Sequence, residues 1–126
     1  FLDVCQPYYS DGGYKAYQNG ETFNMGGTAY TNGFIYYEGG NAIFNVGGKY
    51  TSMTFSLGHL DGSDMNNNKI QIYCDNVLLK EFEVKAEDLP QKVTIDLTGV
   101  QQIKFTSQDA YYNRQPGFGL GNIIVK

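Results

Sequence analysis

An alternation of apolar and polar residues with a period of two constrains this chain more than any other feature. In "TSMTFSLG" Met53, Phe55 and Leu57 alternate with Ser52, Thr54 and Ser56, and in "KVTIDL" Val93, Ile95 and Leu97 alternate with Thr94 and Asp96. A strand turns successive side chains to opposite faces, so each segment reads as a strand with one dry and one wet face. The same pattern turns Ile70, Ile72 and Cys74 inward in "KIQIYC", Phe82 and Val84 in "KEFEV", and Ile103 and Phe105 in "QIKFTS". Little or no helix is expected.

Turn chemistry divides these strands. Asp75-Asn76 in "IYCDNVLL" marks a two-residue hairpin, because both residues tolerate positive φ. Near the C-terminus Phe118 and Leu120 share one parity and Ile123 and Val125 the other, with Gly121 between, which predicts a bulge. Sixteen glycines, including four Gly-Gly pairs without fixed spacing, read as turn markers. Many short strands with frequent turns point to an all-β antiparallel sandwich, with strands near 33–36, 42–46, 50–58, 70–74, 77–84, 92–97, 101–107 and 118–125.

Composition limits the function. The 126 residues fit a single domain, 1–126, and Phe1 opens in strand-like sequence with no signal peptide or initiator Met, as in a domain excised from a larger protein. Nine Lys and Arg against thirteen Asp and Glu give a charge of -4, which disfavours nucleic acid and anionic lipid as partners. No apolar run approaches the ~18 residues of a membrane span. Cys5 and Cys74 could form one long-range disulfide but do not make a framework; Cys74 lies on the apolar parity of its strand, which favours buried free thiols.

If the strands alternate in direction, every second connection emerges at the same end of the sandwich. One end receives the short turns "VGGK", "DN" and "TGV". The other receives Tyr37–Asn41, His59–Asn68, Lys85–Gln91 and Gln108–Gly117, which are longer and richer in functional groups. Long loops gathered on a rigid scaffold are how β-sandwiches build sites.

The segment "GGTAYTNGF" carries Gly27-x-x-Tyr30-x-x-Gly33, followed in order by "GGKY", "LGHLDG", "IYCDN" and "VTIDLTGVQQIKF". Over residues 20–126 this order and spacing resembles the NPCBM family of carbohydrate-binding modules, jelly-roll sandwiches of the galactose-binding-domain-like type. The resemblance implies a non-catalytic, extracellular module, secreted or attached to the cell surface, that holds a parent enzyme or surface protein on a polysaccharide or glycan. Related folds often carry a structural calcium. Two features depart from the family pattern: Tyr36-Tyr37-Glu38 stands where a His-Ala pair is common, and the last strand, "GFGLGNIIV", lacks tryptophan.

A sugar presents an apolar C–H face and a rim of hydroxyls, so its site needs flat aromatics and directional polar groups. Tyr111, Tyr112, Asn113, Arg114 and Gln115 supply both, Tyr36, Tyr37 and Glu38 offer a second wall, and His59 either meets a sugar hydroxyl or caps its loop. Since neighbours on an extended segment point opposite ways, one tyrosine of each pair belongs to the core. Asp61, Asp64 and Asn66 are hard oxygen donors of the kind calcium takes, although their spacing is not that of an EF-hand and a polar Asx-rich loop explains them as well; no cofactor is required. Catalysis is not expected: a triad needs His59 beside a serine or an exposed cysteine, and a small chain offers little wall for a deep cleft. A protein-interaction or structural role in a bacterial surface protein is the alternative, with loop tyrosines as anchors. Parity also leaves Gln71, Tyr73, Glu81 and Glu83 on a wet sheet face able to take an extended chain.

Overall fold

A computed structural model describes residues 1–11, 13–36, 40–63, 65, 67–107 and 117–126, together with the backbone of Gln108. Among these the strands are β1 (Tyr9–Ser10), β2 (Tyr14–Tyr17), β3 (Phe23–Met25), β4 (Thr28–Tyr30), β5 (Gly33–Tyr36), β6 (Gly40–Asn45), β7 (Ser52–His59), β8 (Asn68–Cys74), β9 (Val77–Val84), β10 (Gln91–Asp96), β11 (Gln102–Gln108) and β12 (Phe118–Val125). The described residues contain no helix. One antiparallel sheet has the order β1-β6-β11-β8-β9, a second has β10-β7-β12-β5-β2, and β3 and β4 form a separate hairpin. From β5 onward every connection except the β8–β9 hairpin passes from one sheet to the other, which is the connectivity of a jelly-roll sandwich.

The strands expected at 33–36, 77–84 and 118–125 have those bounds, and the other five agree to within two residues at each end. Their apolar rows meet between the sheets. Phe105 is fully buried at the centre, with the rings of Phe34, Phe44 and Phe55 edge-on to it at 5.4, 6.0 and 6.2 Å. Asp75 and Asn76 turn the β8–β9 hairpin at φ 49° and 66°. The register of β12 against β7 shifts between Gly121 and Ile124, so Leu120 and Ile123 both face inward.

Three expectations need correction. The chain does not open in a strand: the N–H groups of Val4 and Cys5 both donate to Phe1 O, closing a turn. Cys5 and Cys74 are free but half-buried rather than buried, because each sits at the rim of the core; burial pushes both thiols up. Glycine does more than mark turns. The β3–β4 hairpin lies on the outer face of the second sheet, where Phe23, Met25, Ile35 and Leu60 form a small core of their own. Gly121, inside β12, leaves room for Tyr30; a Cβ there falls 2.6 Å from the tyrosine Cβ.

One end of the sandwich is closed by short turns tied to each other. Val46 and Gly47 donate to Gln101 O, and the Asp75 carboxylate accepts the N–H groups of Gln101 and Gln102 at 3.1 and 2.9 Å. The opposite end is left for the long connections.

Candidate ligand-binding site at the long-loop end

Register shows which residues share that end. Phe118 lies beside both Tyr36 and His59, Ser107 beside both Gly40 and Ile70, and Asn68 opposite Val84. The four long connections therefore leave the same end, as their lengths predict. Each is fastened near its base by polar contacts to another part of the chain. The Asp11 carboxylate accepts the Asn41 N–H at 2.7 Å and the Tyr9 hydroxyl at 2.9 Å, and these bonds, the tyrosine's first, hold its pKa below the usual carboxylate range. Asn67 Oδ1 accepts the Ala86 N–H at 3.1 Å, tying the connection after β7 to that after β9.

His59 closes β7 and is 8% exposed, with Nε2 3.0 Å from Ser63 Oγ. A histidine beside a serine is the pair that nucleophilic catalysis requires, but this hydroxyl is already committed. Ser63 Oγ donates to Leu60 O at 2.7 Å and accepts the Gly117 N–H at 3.0 Å, while the Leu60 N–H donates to Gly117 O at 2.9 Å. The group is a clamp holding residue 117 to the turn after β7. His59 meets this clamp through the contact of its Nε2 with Ser63 Oγ.

Tyr36 is not a wall of the site. It is fully buried, packs against Tyr14, Phe34 and Phe118, and donates its hydroxyl to Phe105 O at 3.2 Å. Burial holds its pKa well above the ordinary value. Its inward parity on β5 made it the core member of the Tyr36-Tyr37 pair. Tyr37, Glu38, Tyr111, Tyr112, Asn113, Arg114 and Gln115 lie outside the described residues, as do Asp64 and Asn66 of the cation trio. Asp61 is exposed but engaged: its Oδ1 accepts the Gly26 N–H at 2.9 Å and its Oδ2 the Gly27 N–H at 2.8 Å, fixing the β3–β4 turn. No group of three His, Cys, Asp or Glu suited to a metal occurs among the described residues.

Two features of this end had no sequence signal. A cavity of about 400 Å³ opens between the connection after β9 and the end of β7; buried Leu57 and Val84 line it with Glu83, Lys85, Glu87 and Asp88. Elsewhere at this end, on β2 and β11, the hydroxyls of Tyr14 and Ser107 are buried without a hydrogen-bond partner among the described residues. Tyr14 pairs with Tyr36 in the register of β2 with β5, so its ring belongs to the edge of the core. Burial pushes its pKa up to about 12 from an ordinary 10.

Burial disfavours the Tyr14 phenolate, so the folded state is unaffected below pH ~10 and loses stability as pH rises from there through about 12. Tyr14→Phe removes this titration and an unpaired buried hydroxyl together. It is expected to raise stability by about 1 kcal/mol at neutral pH and to flatten the alkaline limb of the melting curve. Equal or lower stability of the phenylalanine variant in thermal melts at pH 7 and 11 means the hydroxyl is satisfied.

The NPCBM/NEW2 domain family matches residues 6–115 of this sequence. The chain belongs to that family. No curated protein sequence matches it. The NPCBM domain superposes on the CBM51 module of a GH95 enzyme from Clostridium perfringens, determined in complex with methyl-galactose, at a TM-score of 0.81 and 13% identity, covering 100% of this chain and 98% of that one. The tandem CBM51 modules of a family 98 glycoside hydrolase from Streptococcus pneumoniae give 0.80 at 12% identity, with 99% and 46% covered. CBM51-2 of Clostridium perfringens ZmpB, in complex with GlcNAc, gives 0.79 at 13%, with 98% and 30% covered. At these identities the likeness establishes the galactose-binding-like β-sandwich fold.

Proposed function

We propose that this NPCBM domain binds carbohydrate at its long-loop end and so keeps an attached enzyme or surface protein on a glycan outside the cell. One observation carries the reading: in a chain of this family, all four long connections leave one end of the sandwich while short turns close the other. Such a module contributes local concentration rather than chemistry, and the commitment of Ser63 Oγ to Leu60 and Gly117 supports a non-catalytic role for the domain. Relatives of the same fold were determined with methyl-galactose and with GlcNAc, so these two sugars are the first probes.

Calorimetric titration with both sugars tests the reading. Within the loop at 109–116, Tyr111→Ala or Tyr112→Ala removes an aromatic platform and Arg114→Ala a directional donor, each lowering affinity by about 1–3 kcal/mol. Folding is expected to survive Arg114→Ala, because substitutions of charged residues outside the core strands usually cost little stability. Wild-type affinity in all three variants moves the site elsewhere. No binding of any neutral sugar, with capture of a defined protein partner instead, replaces the reading by a protein-interaction module.

Asp61 requires no cation on this reading. Asp61 already spends both oxygens on backbone donors, which is a complete structural reason for the residue. Excess EDTA is therefore expected to leave the melting temperature unchanged, whereas Asp61→Ala lowers it by leaving two N–H groups without their charged acceptor. A drop of several degrees on chelation, reversed by calcium, overturns this.

A further inference from the structure

The outer face of the five-stranded sheet β1-β6-β11-β8-β9 carries two unlike rows of side chains running across its strands. Register aligns Tyr9, Ile43, Lys104, Tyr73 and Leu78 in one row. Tyr9 and Leu78 are each 49% exposed at its two ends, and the three residues between them are half-buried. Beside it runs a polar row of Asn41, Thr106, Gln71 and Glu81, with Asp11 bonded to Asn41 at its end. At ~4.8 Å per strand, four steps make a track of about 19 Å.

We infer that this face is a second binding site, for an extended neutral glycan chain lying across the strands. An apolar row bordered by amide, hydroxyl and carboxylate groups matches a polymer of pyranose rings, which shows C–H faces on one side and hydroxyls along its edges. Gln71 is the hub of the polar row. It donates to Glu81 Oε2 at 2.7 Å, and its Oε1 lies 3.2 Å from Thr106 Oγ1 and 3.4 Å from the Tyr73 hydroxyl, so the row is held in place before any ligand arrives.

Charge selects the ligand class. Lys104 Nζ sits 4.5 Å from the centre of the Tyr73 ring, Glu81 is bonded to Gln71, Asp11 to Tyr9 and Asn41, and Lys69 lies opposite Glu83 in register. Three carboxylates against two ammonium groups leave the face one net negative charge, which disfavours a polyanion and is too small to draw a polycation. An added peptide strand is also a poor fit, because it pairs with the backbone of an edge and a face presents only side chains. The Lys104 ammonium covers part of the ring and must swing aside as a sugar stacks, which makes Lys104 a donor to the bound chain.

This site does not depend on the loop-end reading, and chain length separates the two. Backbone amide shifts of the labelled domain are recorded with methyl galactoside, GlcNAc, cellohexaose, laminarihexaose, chitohexaose and, as the charged control, polygalacturonate. At least one neutral hexasaccharide is expected to move the amides of Ile43, Gln71, Tyr73, Lys104 and Thr106, while the monosaccharides leave them in place. Its affinity at this face, read from those amide shifts, falls about tenfold in Tyr73→Ala and in Gln71→Ala. If the tyrosine variant does not fold, Gln71→Ala and the wild-type shift map still decide. The inference is overturned if no hexasaccharide moves these amides, if hexasaccharide shifts appear only at the loop end, or if polygalacturonate binds the face equally well. Monosaccharide shifts at the loop end without any response of the face leave the loop-end function standing alone.

Discussion

Gly33→Ala is expected to unfold the domain or lower its melting temperature by more than about 10 °C, from a cost of at least ~3 kcal/mol. A Cβ added to Gly33 falls on the carbonyl oxygen of Leu120, with the Cα of Gly121 at 3.0 Å. These are backbone atoms of the neighbouring strand β12, paired to β5 through Phe34 and Leu120, so they cannot rotate aside as a side chain does. The need at Gly33 is for space. Gly27, six residues earlier, has φ +78° and nothing within 4 Å of an added Cβ, so Gly27→Ala brings only backbone strain, about 1 kcal/mol. Thermal melts of the two variants compare the mechanisms, and a Gly33→Ala domain melting within two or three degrees of wild type would refute the close approach.

Phe105→Ala is the second large effect, about 3–5 kcal/mol. Its ring joins both sheets, touching Phe34 and Phe55 on one side of the sandwich and Phe44 on its own. Those ring partners lie on paired strands of both sheets, so little of the resulting void can be filled by collapse. Against a total stability of about 5–15 kcal/mol, the loss leaves a marginal fold. Urea unfolding should show a lower midpoint at an unchanged slope, and Phe82→Ala, half-buried on the edge strand β9, should cost less than half as much. Equal losses at the two positions would show that the centre of the sandwich relaxes as readily as its rim.

These two positions mark what the sequence does and does not disclose. Phe105 is legible, because its parity with Ile103 is a one-strand property and burial follows from it. So are the Asp75-Asn76 turn and the β12 bulge, which arise from the φ preferences and parity of neighbouring residues. Gly33 is legible only as part of a spaced motif, since its reason lies in β12, almost ninety residues away. The first thirty residues hide their strands for another reason: β1 to β4 are two to four residues long, too short for a period to register, and they pair with distant partners or lie flat on the second sheet. At the site, the convergence of long connections follows from strand alternation. The Ser63–Gly117 clamp, the Asp61 bridge and the buried Tyr14 hydroxyl do not, because each joins segments that only the finished fold brings together.

The clamp at Ser63 has a consequence for how such domains diversify. Residue 108 is held by its ladder partner Lys69, and residue 117 by Leu60 and Ser63, so both anchor points of the connection between β11 and β12 are set by the rest of the sandwich. The ring-closure entropy of that connection then grows only slowly with its length, by about 0.6 kcal/mol for each doubling. Insertions, deletions and wholesale replacement between the two anchors become nearly independent of folding, and selection can act there without first repairing the core. The same independence makes the domain a chassis for display libraries in which residues 109–116 are randomised in both sequence and length.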